Sequence, residues 1–458
     1  AALLDIPTMS IVMDMDDLLG ISGLYSNPYI LWERPASVEF FNVAGDDGFQ
    51  IDAGLRIQGQ TGRGHTKRSF RMVFRGEVYG DGKLRYPLFG DDYPVDTFDH
   101  LILRGGVNDS YTGSGSAQYL RDGWTDVAYY DMGQASLGVT YVHLYLNGLY
   151  WGLYNPIERP NSAWAASHMG GERDVDWDGS RGSGTNGNKV AYATMMSIAN
   201  GTSSFGAISN PDAYAEVLKY TDVEAVADYA ILNYYAGSSD WGGETNTDWV
   251  RKRQDDAGFV PVVWDSEYVL KNVNADSTGS SAWPAVLHRW LLSNPDYRMV
   301  AADRIQKHFF NGGALTIAAN QARYAALADE IGLAIKGEEA RWSHNAGSFS
   351  YAGWVNERNR IVNQHFAQRE PIAMDQFRNS ASFTHPMYPD VDAPELNQHG
   401  GQVASGFGLG ITSAEGTIYY TLDGTDPRLT GTESGLISPA ALVYSAPVSL
   451  TDTTHVMA

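Results

Sequence analysis

Over the first 160 residues, apolar side chains recur at every second position in one short segment after another. IPTMSIVM, SVEFFNV, FQIDAGLRIQGQ, SFRMVFR, HLILRGG, VTYVHLYLNG and LYWGLYNPIE all carry this pattern. A period of two is the mark of strands with one buried face. One stretch of helical spacing, AQYLRDGWTDVAYYDMG, interrupts them, and Asn147-Gly148 marks a two-residue hairpin between the last two. From about Pro211 the spacing lengthens. DAYAEVLKY and DVEAVADYAILNYYAG each open on an Asp suited to N-capping. Two strands, DWVRKR and GFVPVVWD, then flank a QDDAG turn, and residues 284–378 return to helical spacing. The expected class is α+β: a strand-rich lobe with one helix, then a mainly helical lobe holding one small hairpin.

A Pro-, Asp- and Gly-rich linker over about 381–401 includes HPMYPDVDAPELNQHGG. Beyond it, residues 402–458 show short strands with Gly-rich turns, the pattern of an immunoglobulin-like β-sandwich. The last segment, VSLTDTTHVMA, stops inside a strand pattern, so the sandwich reads as incomplete and the chain as part of a longer protein. A formal charge of −22 argues against nucleic acid and anionic lipid as partners, because both bind basic patches. The absence of cysteine excludes disulfides, zinc-thiolate sites and thiol nucleophiles. No apolar run reaches the roughly 18 residues needed to span a bilayer, and AALLDIPTMSIVMD lacks the features of a signal peptide.

Two motifs are incomplete. GQTGRGHTK, Gly59 to Lys67, resembles a phosphate-cradling loop, but His65 and Thr66 separate Gly64 from Lys67, leaving a Gly-rich turn between strands. DVDWDG, Asp174 to Gly179, copies the start of a Ca²⁺-binding loop, yet its twelfth position is Thr185 rather than Glu. GSRGSGTNGNK, residues 179–189, reads as a flexible loop. His143, His308 and His365 sit in strand or helix patterns and read as packed.

A more telling pattern is distributed. The apolar run of GFVPVVWDSEYVL ends in Asp265 and Glu267, and buried charge is costly unless paired or bound to a metal. Upstream, Asp240 follows a helix, and Asn246 and Asp248 follow it in DWGGETNTDW. An acidic loop, a strand pair and a strand-ending Asp, preceded by a Gly-rich lid, is the order that kinase-type phosphoryl transfer requires. Solvated acids at strand ends are the structural alternative.

IDAGLRIQGQTGRGHTKRSFRMVFRGEVYGDGKLRYPLF, FDHLILRGGVNDS, YVHLYLNGLYWGLYNPIERP and VVWDSEYVL together resemble the spore coat protein H (CotH-type) family of atypical secreted bacterial kinases, over about residues 5–378. GTIYYTLDGTDPR and ALVYSAPVSLTDTT resemble the chitobiase/β-hexosaminidase C-terminal domain. The resemblance implies a two-lobed, protein-kinase-like domain over 1–380, its N-lobe about 1–158 and its C-lobe about 159–380. It implies ATP with Mg²⁺ or Mn²⁺, and phosphorylation of hydroxyls on an exported protein at the surface of, or outside, a bacterium. The accessory domain would associate with carbohydrate or the cell surface. Asp240 would be the catalytic base and Asp265 the principal metal ligand, with Asn246 and Asp248 competing for the second ligand position. Glu267, placed on the strand face of Asp265 by period two, reaches the same metal or pairs with an Arg. Lys67 touches phosphate or is a solvated strand-start lysine. Arg104 stands where a kinase places its phosphate-pairing lysine, with Asp122 as its ion-pair partner. Glu158 meets adenine at the hinge, or pairs with Arg159 or Arg121. DWGGETNTDW departs from the family pattern by a small insertion, which leaves a non-catalytic surface protein as a second reading. A carbohydrate-active enzyme is a third, but two acids on one strand do not straddle a sugar cleft.

Overall fold

A computed structural model describes all residues except 44, 46–47, 81, 113–115, 182–183, 243–245, 347–348 and 431–435. The period-two segments form β1 (Thr8–Val12), β2 (Arg34–Phe41), β3 (Phe49–Gln58), β4 (Ser69–Val73), a separate small ladder of β5 (Leu84–Arg85) and β6 (Thr97–Phe98), then β7 (His100–Arg104), β8 (Val142–Leu146) and β9 (Leu149–Ile157). They close into a barrel in the order β1-β2-β3-β4-β7-β9-β8, sealed by the parallel pairing of β1 with β8. Ile51, Ala53, Leu55 and Ile57 of β3, Phe70 and Met72 of β4, and Leu101 and Leu103 of β7 fill its core. Residues between them point outward, Arg104 at the end of β7 among them. Asn147 (φ +47°) and Gly148 (φ +77°) make the expected tight turn between β8 and β9.

Among the described residues, three helices accompany the barrel where one is expected. Two are single turns, α1 (Met15–Leu19) and α2 (Gly76–Tyr79), too short to show a period. The third, α3 (Arg121–Asp131), starts later than its pattern because Tyr119 takes φ +64°, which no right-handed helix accommodates.

The second lobe opens with α4 (Ser162–Met169), β10 (Trp177–Arg181), β11 (Gly184–Asn186), α5 (Val190–Ala199) and α6 (Pro211–Val217). α7 (Val223–Ala236) follows, then β12 (Thr247–Lys252) and β13 (Val260–Val263). Asp222 caps α7 by accepting from the Ala225 amide at 2.9 Å, and Gly237 at φ +60° ends it. The expected hairpin is half of a four-stranded sheet, β11-β10-β12-β13. The segment read as a flexible loop supplies its other half, apart from Gly182 and Ser183, which lie outside the described residues. Its Gly-, Ser- and Asn-rich composition conceals a strand, which is held just upstream where Trp177 is buried and Asp178 is bonded by Arg253 at 2.7 Å. Helices α8 (Ala285–Leu291), α9 (Pro295–Phe309), α10 (Ile317–Ile331), α11 (Ala334–Ala346), α12 (Tyr351–Arg360) and α13 (Phe366–Asn379) complete the lobe. Ile102 and Ile157 from the barrel pack on Trp164, Trp177, Val250, Val262 and Trp264, and this cluster joins the two lobes. The result is the kinase-like, two-lobed α+β fold.

Past α13, Met387 and Tyr388 are buried against the helical lobe. Short ladders follow: β14 (Glu395–Leu396) with β16 (Ile411–Thr412), β15 (Phe407–Leu409) with β19 (Val448–Leu450), and β17 (Tyr419–Tyr420) with β18 (Leu442–Val443). Arg428 reaches Asp303 of α9 at 2.6 Å. Among the described residues, no helix is long and apolar enough to cross a membrane.

Candidate active site

β13 ends at Val263, and Asp265 turns the chain with φ of +61°. A left-handed residue breaks the pleat, so the period-two placement of Glu267 on the strand face of Asp265 does not hold. The two carboxylates meet for another reason: both bond Arg104. From the end of β7, the Arg104 guanidinium lies 2.6 Å from Asp265 Oδ1, 2.8 Å from Glu267 Oε1 and 3.0 Å from Asp122 Oδ2 of α3. The Trp264 ring lies 5.4 Å from it. Backbone donors fix the acids in turn. The Ser266 amide donates to Asp122 at 2.7 Å, and the Asn108 amide to Glu267 at 2.8 Å. The expected Arg104–Asp122 pairing is thus present within a wider network.

Three carboxylates around one cation leave the centre acidic. Burial pushes the Glu267 carboxyl up to about 7, against the pull of Arg104 and with help from Asp265 and Asp122. Burial likewise raises Asp122, with Arg104 opposing and Asp265 adding. Burial alone would lower the Arg104 pKa, but Asp122, Asp265 and Glu267 outweigh it and hold the guanidinium well above its ordinary value. Exposure sorts the acids: the Asp265 side chain is 36% exposed and that of Glu267 is 4% exposed. Asp265 is therefore the most accessible carboxylate of the three. Behind it, Arg104, Asp122, Glu267, Asp109, Tyr119 and Tyr141 line a cavity of about 20 Å³, room for about one water molecule.

Asp240 lies exposed just beyond α7, on a segment tied to the Asp265 loop by the Ser239 amide donating to the Tyr268 carbonyl. Its pKa is raised by partial burial and then by the charge of Asp265. Asn246 donates to the Asp240 carbonyl at 2.7 Å, so these two stand together. Asp248 is buried within β12, opposite Val262. Residues 243–245 of this loop lie outside the described residues.

Lys67 is not solvated. It is 2% exposed, and its Nζ donates to Glu338 Oε1 of α11 and to the Leu153 carbonyl, both at 2.6 Å. The Gly-rich turn before it is a short 3₁₀ helix, Thr61–Gly64, with Gly62 packed on Val107 so closely that a Cβ would lie 2.6 Å from that side chain. Glu158, just past β9, is buried and bonds Tyr93 and His168, while Arg121 bonds Asp109 and Glu357. Asp174, Asp176 and Asp178 have separate partners: Arg173, the Glu172 amide and Arg253. Thr185, the twelfth position of that motif, has its side chain outside the described residues. His143, His308 and His365 are all buried. Glu338 and the Asn108 amide were missed by sequence reasoning, since nothing local links positions 67 and 338 or 108 and 267.

The donor set suits a hard divalent cation: Asp265, Asp240 and Asn246 offer oxygen ligands, and the mutual repulsion of the acids favours a cation between them. Among the described residues, no group of three or more His, Asp or Glu side chains is placed to hold a metal ion by itself.

The family model described as "CotH kinase protein" matches residues 55–371, and that described as "Fn3 associated" matches residues 409–458. No curated protein matches the chain.

Proposed function

Since this chain belongs to the CotH kinase family, we propose that it transfers a phosphoryl group from ATP, with Mg²⁺ or Mn²⁺, to hydroxyls of an exported protein. One observation carries this reading: the accessible Asp265 is anchored by Arg104, which Asp122 of α3 also holds, with Asp240 beside it. Phosphoryl transfer of this type uses a cation tied to a helix acid, a strand-end Asp that holds the metal and a proton-accepting Asp; here the cation bonds the strand-end Asp as well.

Asp265 and Asn246 would hold the metal, which when bound neutralises charge on the transferring phosphoryl group. Asp240 orients the acceptor hydroxyl and takes its proton, and its raised pKa moves it toward that task. Arg104 keeps Asp265 and Glu267 in place. Asp248 is too deeply packed to be the better second ligand. Lys67 ties the segment before β4 to α11 through Glu338. The Fn3-associated segment supplies a surface or carbohydrate contact outside the bacterial cell.

A second reading, a non-catalytic nucleotide-binding or surface protein, draws on the 2.6 Å bond that commits Asp265 to Arg104. Calorimetry of ATP with and without Mn²⁺ or Mg²⁺, on wild type and Asp265→Asn, tests the site. Metal-dependent binding lost in the variant supports it; equal binding in both removes Asp265 from the site. Labelled phosphate transfer to a serine-rich acceptor, lost in Asp240→Asn, separates the kinase from the second reading.

A further inference from the structure

Side chains pointing out of the barrel line up in rows across β3, β4, β7 and β9. Register sets one row as Arg56, Arg71, Ile102 and Ile157. Arg104 lies two residues beyond Ile102 on β7 and shares this face, about 7 Å along the strand. Arg56 and Arg71 therefore stand directly opposite one another, on the face that also bears the carboxylate centre. Like charges directly across an antiparallel pair are destabilising.

The surroundings add to that repulsion. Burial and then the charges of Arg56 and Arg159 lower the Arg71 pKa to about 9. The buried Nε of Arg71 has no acceptor among the described residues. His100, two residues before Ile102 on the same face, is 9% exposed, and its Nε2 likewise has no partner among them. Burial, followed by Arg71, Arg159, Arg56 and Arg173, holds the His100 pKa well below its ordinary value. The nearby acids are already engaged. Glu33 bonds Arg75 at 3.3 Å and Tyr79 at 3.0 Å, while Asp99 and Asp174 serve Arg173. In a chain of charge −22, with 54 acids against 32 Lys and Arg, pairing partners were plentiful. Opposed arginines left half-buried are best accounted for by an anion that comes from outside.

We propose that Arg56 and Arg71 form an oxyanion site that takes the phosphate chain of the nucleotide alongside the Arg104 centre. The guanidinium fork matches phosphate oxygens two at a time, and the spacing lets one polyphosphate touch both Arg71 and the Arg104 region. The assignment rests on the phosphoryl-transfer reading for the identity of the ligand, though not for the presence of an anion site.

The test is calorimetry on the full chain with sodium tripolyphosphate without metal, and with ATP plus Mg²⁺. It compares wild type, Arg56→Gln/Arg71→Gln and Asp265→Asn. The double variant is expected to lose about tenfold or more in affinity for both ligands, since each charge-assisted contact contributes on that scale. Its thermal midpoint is expected to hold or rise as the repulsion is relieved, an outcome a purely structural arginine pair would not give. Affinity within about twofold of wild type overturns the site. If ATP binds and fails only in Asp265→Asn, the function stands and the arginine site falls. If tripolyphosphate binds through the arginines while ATP does not bind, the anion site stands and the nucleotide reading fails. Binding of neither ligand to wild type overturns both. Arg56→Gln alone carries the same comparison should the double variant fail to fold.

Discussion

Replacing Lys67 by Met should unfold this protein more readily rather than merely weaken a ligand. The Lys67 and Glu338 side chains are 1% and 0% exposed, with 2.6 Å between Nζ and Oε1. The pair joins the segment before β4 to α11, 271 positions away. Glu338 also accepts from the Tyr119 hydroxyl at 2.9 Å and from the Leu153 amide at 2.6 Å, and Lys67 lies 4.9 Å from the ring centres of Tyr119 and Tyr154. Removing the cation leaves a carboxylate in this dry site with two neutral donors. Breaking a buried pair on one side costs about 3–5 kcal/mol. Replacing both partners removes the orphaned charge, so Lys67→Met/Glu338→Leu should recover most of that loss. Urea denaturation followed by the fluorescence of the 12 tryptophans measures all three variants. If Lys67→Met unfolds within about 1 kcal/mol of wild type while ATP affinity collapses, Lys67 grips phosphate and the structural argument is wrong.

Arg104→Lys should cost nucleotide affinity at least about tenfold, because one ammonium cannot replace a planar fork bonded to Asp122, Asp265 and Glu267; unchanged calorimetric affinity would contradict this. Asp222→Ala removes the N-cap of α7, the helix that delivers Asp240, and should lower stability by about 1 kcal/mol in the same denaturation assay. His365 is buried with neither ring nitrogen partnered among the described residues, and burial, then Arg360, Arg369 and Arg121, lower its pKa to about 3. A base depressed from about 6.5 binds fewer protons folded than unfolded between those two values, so stability falls as pH drops through that window. His365→Phe should flatten the slope of stability against pH near pH 5 by about 1.4 kcal/mol per pH unit; an unaltered slope would mean that this imidazole charges within the folded protein.

What was legible beforehand follows from the range of the forces involved. The strands of the barrel show in the sequence because inward residues such as Phe70, Met72, Leu101 and Leu103 recur at a period the pleat imposes locally. Asn147-Gly148 and the Asp222 cap are legible for the same reason, each being decided within three residues. β10 was not, because its composition is that of a loop and its strand character comes from the burial of Trp177 and the reach of Arg253. The candidate site divides the same way. Its acids announce themselves as charges at the ends of apolar runs, but their partnerships are settled by closure of the barrel against the second lobe. Asp265 and Glu267 lie two residues apart, yet their convergence depends on φ +61° at Asp265 and on an arginine 161 positions upstream. The opposition of Arg56 and Arg71 depends on a strand register that periodicity alone leaves open. In this chain charge is placed by tertiary structure more than by local pattern. The groups that most need a partner are therefore also the ones whose role can be read only after the fold is known.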